Sequence, residues 1–203
     1  LTDDEEHRAA YNLAPTFSPQ GDKIAYLTDR GKTFDIRLMS AIDGKDLGRL
    51  VEGERSSAFE SMFVLRPGFT WSPDGTRIAF AAKSNNKNTL YTMDVRKKKI
   101  VKRFKFDLDG LFEPTWSPDG ERIAVVGIKE GWSDVYVVDL ADDSLQRLTR
   151  DPYDERHLDW SPEGNWIALS SDRPDTSLTY DGQKDFAFGE YDIFGIRPDG
   201  SEL

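Results

Sequence analysis

Paired acidic and basic side chains are the residues of this sequence whose types and spacing first suggest chemistry. The pairs Asp29-Arg30 and Asp172-Arg173 each end a β-rich run, and Asp35 and Asp192 begin the β-rich runs that follow. Two carboxylates held opposite each other could act as general acid and general base. Because such positions recur along the chain, we instead expect these carboxylates to accept hydrogen bonds from buried loop backbone.

The two histidines, His7 and His157, occupy equivalent segments, Glu6-His7-Arg8 and Glu155-Arg156-His157. We expect both segments to connect one structural repeat to the next. A metal site would need three or four converging ligands, and two histidines in different repeats supply only part of that set. The sequence therefore predicts neither a metal site nor another cofactor. His7 and His157 are the candidate ligands if one exists, and ion pairs within their loops are the expected alternative.

Nucleophilic catalysis finds no support in the sequence. The chain has no cysteine and no Gly-x-Ser-x-Gly elbow, and its repeated serines stand directly before proline. A serine in such a turn can cap backbone groups with its hydroxyl. We expect no catalytic residue within these positions, although the sequence leaves open whether a catalytic domain is attached.

A repeat places these residues in a common framework. An aromatic residue, serine, proline, an acidic or amide residue and glycine occur together four times, each followed by Ile-Ala. The copies begin at Phe17, Trp71, Trp116 and Trp160. The serines are separated by 54, 45 and 44 residues, which is near the period of a four-stranded propeller blade.

Each copy predicts a tight β-hairpin. Proline presets φ for the first central position of a type I turn, and glycine takes the left-handed position that follows. The aromatic residue and the isoleucine are then buried cross-strand neighbours. Further β-rich runs predict a third strand and a short outer strand in each repeat, and no run has helical periodicity. The third strands are expected at Asp35–Met39, Leu90–Met93, Asp134–Val138 and Asp192–Ile196, and the outer strands at Arg49–Val51, Val101–Phe104 and Arg147–Thr149.

These residues resemble the TolB-like β-propeller repeat family. The resemblance rests on Pro114-Thr115-Trp116-Ser117-Pro118-Asp119-Gly120, Thr28-Asp29-Arg30 and Ser171-Asp172-Arg173, and it covers nearly the whole chain. It implies an all-β propeller of four-stranded antiparallel blades. We expect no counterpart, within these 203 residues, of the small α/β domain that precedes the propeller in TolB. Because the family usually builds rings of six or more blades, four repeats are expected to form an open arc or part of a larger propeller.

The expected array is a single domain over residues 1–203. Its bounds are about 12–51 for blade 1, 69–105 for blade 2, 113–150 for blade 3 and 157–203 for blade 4, with residues 1–2 as the remnant of an outer strand.

Two insertions predict where a partner binds. Residues 52–68 and 174–190 lengthen connections that emerge on the same side of a four-stranded meander. Inserted loops carry function more often than consensus turns do, and aromatic and arginine side chains are enriched at interfaces. The alternative is that these aromatics fold their own loops onto the blades. The candidate partner-binding residues are Arg55, Phe59, Phe63, Arg66, Tyr180, Lys184, Phe186 and Phe188.

Composition narrows the classes of partner. The 203 residues have a formal net charge of −10 and contain no cysteine. Such a charge repels phosphate backbones, so nucleic acid is not expected as a ligand. No apolar run suggests a signal peptide or membrane insertion, and the first residue is Leu1, as in a processed protein or an excised piece.

One basic run departs from this acidic balance. Seven of the ten residues from Arg96 to Lys105 are lysine or arginine, and we expect them at the turn between the third and outer strands of blade 2. A solvated turn that keeps sheet edges from pairing is one interpretation. Docking to an acidic surface is the other.

The sequence supports three functions. The family resemblance implies a non-catalytic module of the bacterial envelope, periplasmic or otherwise exported, that binds a protein or peptide; a cytoplasmic location stays open. The second function is the gating or substrate-binding propeller of a larger peptidase or hydrolase. The third is a carbohydrate-active, lyase-like propeller that uses His7 and His157. Self-association through open blade edges is compatible with each.

Overall fold

The computed structural model of the protein describes residues 12–29, 35–53, 61–62, 68–84, 87–173 and 191–201. Within these ranges the chain forms β-strands and no helix, and every strand pairing is antiparallel. Four sheets follow one another along the chain as the four blades of a β-propeller. The prediction of an all-β propeller is confirmed.

The strands of each blade follow one another in chain order. Blade 1 contains β1 (Asn12–Phe17), β2 (Lys23–Thr28), β3 (Asp35–Ser40) and β4 (Asp46–Val51). Blade 2 contains β5 (Ser61–Met62), β6 (Phe69–Trp71), β7 (Arg77–Ser84), β8 (Lys87–Asp94) and β9 (Lys99–Lys105), with β5 and β6 both paired to β7. Blade 3 contains β10 (Gly110–Trp116), β11 (Arg122–Lys129), β12 (Trp132–Asp139) and β13 (Leu145–Arg147). Blade 4 contains, in its described part, β14 (Glu155–Trp160), β15 (Ile167–Ser171) and β16 (Asp192–Ile196).

The repeated turn has the predicted geometry. In blade 3, Gly120 has φ of 77° and its N–H donates to the carbonyl of Ser117 at 2.9 Å. The Ser117 hydroxyl oxygen accepts the N–H of Arg122 at 2.9 Å, so the serine caps the hairpin. Trp116 pairs with Ile123 across the strands, and the other three copies keep the same register.

The blades pack through the aromatic residue of the repeat. Three hydrophobic clusters fill the spaces between blades 1 and 2, 2 and 3, and 3 and 4, and no cluster of described residues joins blade 4 to blade 1. Trp71, Trp116 and Trp160 are buried in these clusters. The indole N–H of Trp160 donates to the carbonyl of Thr115 in the preceding blade at 3.1 Å. Each tryptophan therefore closes the interface with the blade before it.

Blade 1 differs at this position, and the predicted burial of Phe17 is wrong. Its side chain is 64% exposed, whereas Trp160 is 7% exposed. The repeated aromatic residue packs against the preceding blade, and no described blade precedes blade 1. The local hairpin is intact, since Phe17 still pairs with Ile24. Burial of the aromatic residue thus depends on a neighbour and not on the repeat itself.

The first strands of adjacent blades approach closely. Ala14, Glu113 and His157 have φ of 49°, 50° and 54° at bulges in β1, β10 and β14. The N–H of His157 donates to the Glu113 carboxylate at 2.6 Å, which links blade 4 to blade 3. At Gly68 a Cβ atom would stand 2.6 Å from Cα of Glu113. Only glycine permits this approach of blades 2 and 3.

The basic run lies largely in a strand, so its predicted location in a turn is corrected. Residues 95–98 form the turn, and β9 begins at Lys99 and continues through the rest of the run. Lys99 and Ile100 already pair with β8, so the strand begins two residues before the predicted start at Val101.

We expect the 203-residue chain to self-associate at high concentration. Ile193 is 78% exposed, and its equivalent in blade 3, Val135, is buried against blade 4. Together with Phe17, it leaves apolar surface on both end blades, and such surface favours association. Light scattering with a dye that reports exposed apolar surface measures this. A compact monomer that binds no dye would instead favour a closed four-bladed ring.

Candidate functional site

The candidate site lies on the face that bears the two insertions. Because each blade is an antiparallel meander, connections between blades and from second to third strands emerge at one end of the sheets. We call this end the insertion face. The eight predicted partner-binding residues and His7 lie outside the described residues. The residues that border the insertions are described, and two of them, Arg173 and Tyr191, belong to a polar network between blades 3 and 4.

Asp154 is the centre of this network. Its carboxylate accepts hydrogen bonds from the Ser133 hydroxyl at 2.6 Å, from Nε of Arg156 at 2.5 Å and from the Tyr191 hydroxyl at 2.7 Å. Its own N–H donates to Asp172 at 2.7 Å. Burial would raise the pKa of Asp154, but the hydrogen bonds from Ser133, Tyr191 and Arg156 outweigh burial and lower it. Blade 3 and Tyr191, at the end of the insertion, therefore converge on this carboxylate, and Asp172, just before its start, binds the backbone of the same residue.

Glu155 follows Asp154 in the chain and is completely buried. Its carboxyl group accepts a hydrogen bond from Arg173, which also contacts Asp151 at 3.1 Å. Burial raises the pKa of Glu155 to about 8, against the attraction of Arg173. The Arg173 guanidinium also lies 5.7 Å from the ring centre of Tyr153. The start of the insertion is thus fixed to β14.

A second buried carboxylate supports blade 3 at the same face. Asp134, at the third strand, pairs with Arg147 of the outer strand at 2.6 Å. Burial raises the pKa of Asp134, and the hydrogen bond from Arg147 opposes this rise. Blade 1 repeats the pairing with Asp35 and Arg49 at 3.5 Å.

Two of the sequence-predicted carboxylates do bind loop backbone. Asp35 accepts the N–H of Gly53 at 2.9 Å, and Asp172 accepts the N–H of Asp154 at 2.7 Å. This prediction is confirmed for Asp35 and Asp172. Asp192, by contrast, is exposed at the start of β16.

Exposed aromatic side chains extend the insertion face beyond the insertions. Glu130 and Gly131 have φ of 54° and 86° and form the two-residue turn between β11 and β12, as a type I′ hairpin requires. The turn presents Trp132, which is 50% exposed. In blade 4, Tyr191 is exposed, and the Arg156 guanidinium lies 4.8 Å from its ring centre. These groups are of the types enriched at binding hot spots.

His157 is not in a blade-to-blade connection as expected, because β14 already begins at Glu155. It occupies the bulge of that first strand, and its Nδ1 lies 2.9 Å from the Ser170 hydroxyl oxygen. In the part of the chain that the structure describes, no three histidine, aspartate or glutamate side chains are placed to hold a metal ion.

Sequence reasoning missed Glu155, Asp154 and Trp132. Glu155 stands six residues before the repeat serine, where the other copies have Asn12, Arg66 and Leu111. Aligning the copies at that position would have marked it as unusual. Because Glu155 has no exposed surface, its carboxyl group cannot reach a substrate, and its role is to stabilise the structure.

Comparison with known proteins identifies the repeat. The sequence profile described as TolB beta propeller domain matches residues 58–187, more than half of the chain. No curated protein matches the chain in sequence.

Solved structures share the fold. TolB from Acinetobacter baumannii superposes with a TM-score of 0.70 at 22% identity, over 95% of this chain and 42% of that one. A protein described as a TolB from Agrobacterium tumefaciens gives 0.70 at 19% identity, over 94% and 64%. Hydrazine synthase from Kuenenia stuttgartiensis gives 0.63 at 13% identity, over 79% and 52%. The chain thus spans less than two thirds of the length of each of these proteins.

Proposed function

Because the chain belongs to the TolB beta propeller domain family, we propose that it is a non-catalytic module that binds a protein or peptide through its insertion face. One observation carries the proposal. Trp132, Tyr191 and Arg156 stand exposed or partly exposed on the insertion face, and Arg156 contacts Tyr191 at the end of the 174–190 insertion. Aromatic and arginine side chains supply most of the binding energy in protein interfaces.

The buried network beneath this surface supports the same function. Asp154 and Glu155 tie both ends of the insertion to blade 4, and Ser133 ties them to blade 3. A surface fixed before binding loses less conformational entropy when the partner arrives. The predicted residues within the insertions, such as Phe59 and Phe186, complete the proposed surface.

We propose, on the basis of its family, that the protein is periplasmic or otherwise exported. No helix within the described ranges is long and apolar enough to cross a membrane. Fractionation of the native source, followed by immunodetection, tests the location.

Replacing Trp132 with alanine is expected to weaken partner binding by about tenfold or more, because a central hot-spot side chain contributes at least about 2 kcal/mol. Replacing residues 174–190 with a short turn is expected to abolish binding. The immobilised protein is incubated with extract of the native source, and captured proteins are quantified for each variant by mass spectrometry.

Trp166→Ala is the matched control. Trp166 is also partly exposed, but it follows the Ser-Pro turn at the opposite end of blade 4. Its loss should leave the captured partner unchanged. Equal capture by wild type, Trp132→Ala and the deletion variant would show that the insertion face is not the binding surface.

A further inference from the structure

The outer strand of blade 2 carries a row of basic side chains in a protein with a net charge of −10. Lys99, Arg103 and Lys105 are exposed along β9, and Arg96 is exposed in the turn before it. None of these four has an acidic partner among the residues that the structure describes. Two other basic residues of the run, Lys97 and Lys102, do pair, with Asp94 and Asp143.

Blades 1 and 3 show why Arg103 is free of a carboxylate. Arg49 and Arg147 occupy the corresponding positions on their outer strands, opposite Arg37 and Tyr136. Each contacts the aspartate that begins the third strand, Asp35 at 3.5 Å and Asp134 at 2.6 Å.

Blade 2 has Thr89 where the other blades have this aspartate, two residues before Tyr91. Arg103 pairs with Tyr91 in register, and its guanidinium lies 5.9 Å from the ring centre of Tyr91. Blade 2 therefore has the arginine of the outer strand but lacks the aspartate that pairs with it in blades 1 and 3. The positive charge of Arg103 is available to a ligand.

The edge of β9 is also open for strand pairing. Among the described residues, β9 is the last strand of its sheet and pairs only with β8. Lys99, Val101, Arg103 and Lys105 are its exposed residues. A bulge at Val101 shifts the register, so Arg103 and Lys105 lie on one face of the sheet, about 7 Å apart, and Lys99 lies on the other. Basic side chains on an edge repel other basic or identical strands. The same side chains attract an extended segment that carries carboxylates.

We propose that this basic edge, formed by Arg96 and β9, binds an acidic extended segment of a partner protein, which adds to blade 2 as a further strand. Backbone hydrogen bonds along the edge supply affinity in this mode of recognition, and side chains at alternate positions supply specificity. Carboxylates on one face of the segment would pair with Arg103 and Lys105, which share a face of the sheet. The cations form a line along one strand, which suits a peptide better than the broad surface of a membrane.

The proposal is independent of the insertion face, and a synthetic peptide tests it. A fluorescein-labelled octapeptide of alternating glutamate and threonine is titrated with the full chain, and binding is followed by fluorescence anisotropy at about 50 mM salt, where screening is modest. Wild type is expected to bind. The double variant Arg103→Glu, Lys105→Glu is expected to bind at least about tenfold more weakly, because attraction becomes repulsion at two positions on the same face.

The control variant Lys45→Glu, Arg150→Glu makes the same change in net charge at exposed sites elsewhere. Its affinity should stay within about twofold of wild type. A peptide in which proline replaces each threonine should not bind, because proline has no N–H for the ladder. Amide hydrogen exchange should show protection of β9 only with the threonine peptide.

Three results would overturn the proposal. Equal losses in the two double variants would indicate long-range charge attraction alone. Equal binding of the proline peptide would exclude strand addition. Sedimentation with phosphatidylserine vesicles but no binding of the octapeptide would make the edge a membrane contact. Circular dichroism of each variant confirms folding before binding is compared.

Discussion

Replacing Trp160 with alanine is expected to lower the free energy of unfolding by about 3–5 kcal/mol, a large share of the stability of an ordinary domain. The side chain fills the cluster between blades 3 and 4. Its indole N–H donates to Thr115, and the Arg122 guanidinium lies 5.1 Å from its ring centre. The variant loses the packing, the hydrogen bond and the cation contact together. Urea unfolding followed by circular dichroism measures the change.

Phe17→Ala provides the internal comparison, because Phe17 has the same place in the repeat and the same cross-strand partner type. Its exposure predicts a loss of about 0.5 kcal/mol or less. Trp160→Phe keeps most of the packing and removes the indole N–H. We expect it to lower the free energy of unfolding by an intermediate amount: roughly 1 kcal/mol for the lost hydrogen bond, in addition to the loss caused by the smaller ring. Similar losses for Trp160→Ala and Phe17→Ala would contradict the conclusion that the preceding blade determines burial.

Stability is expected to fall as the pH rises from about 5 to 9, and Glu155 is the reason. Its carboxyl is buried, so the folded state favours the protonated form, and the pKa rises from 4.5 to about 8. Below pH 4.5 the group is protonated in both states, and its contribution to stability is fully present. As the pH rises through about 8, the folded protein must ionise a buried carboxyl, and the contribution is lost.

Linkage sets the size of this effect. The rise of the Glu155 pKa from 4.5 to about 8 corresponds to at most roughly 5 kcal/mol of unfolding free energy over that window. The raised pKa of Asp134 acts in the same direction. The lowered pKa of Asp154 acts in the opposite direction. Its effect on stability occurs only at pH values below the usual aspartate pKa of 3.8, outside the window from pH 5 to 9.

Glu155→Gln should flatten the profile, leaving only the slope due to Asp134. Urea unfolding at pH 5, 6.5, 8 and 9 compares this variant with wild type and with Glu163→Gln, which removes an exposed glutamate from a turn of the same blade. Glu163→Gln should reproduce the wild-type slope. A wild-type profile that is flat or rises from pH 5 to 8 would show that Arg173 holds Glu155 ionised throughout.

The sequence by itself determined the elements and their register. Ser117-Pro118-Asp119-Gly120 and its three counterparts encode a hairpin within five residues, because proline and glycine restrict the backbone locally. The same spacing fixes which aromatic residue faces which isoleucine. Alternation then assigns the third strands, so the all-β fold needed no contact between distant residues to be recognised. The outer strands β4, β9 and β13 begin two or three residues earlier than the pattern predicts.

Tertiary structure decided which of these equivalent residues are buried, paired or free. Phe17 and Trp160 have the same local surroundings, and only the presence of a preceding blade separates them. Burial of Glu155 follows from packing between Ser133 and Arg173, which are 22 residues before it and 18 after it. Arg103 lacks a carboxylate because of Thr89 on the neighbouring strand. Exposure and charge pairing depend on groups brought together by folding, and for that reason a repeat pattern cannot assign them.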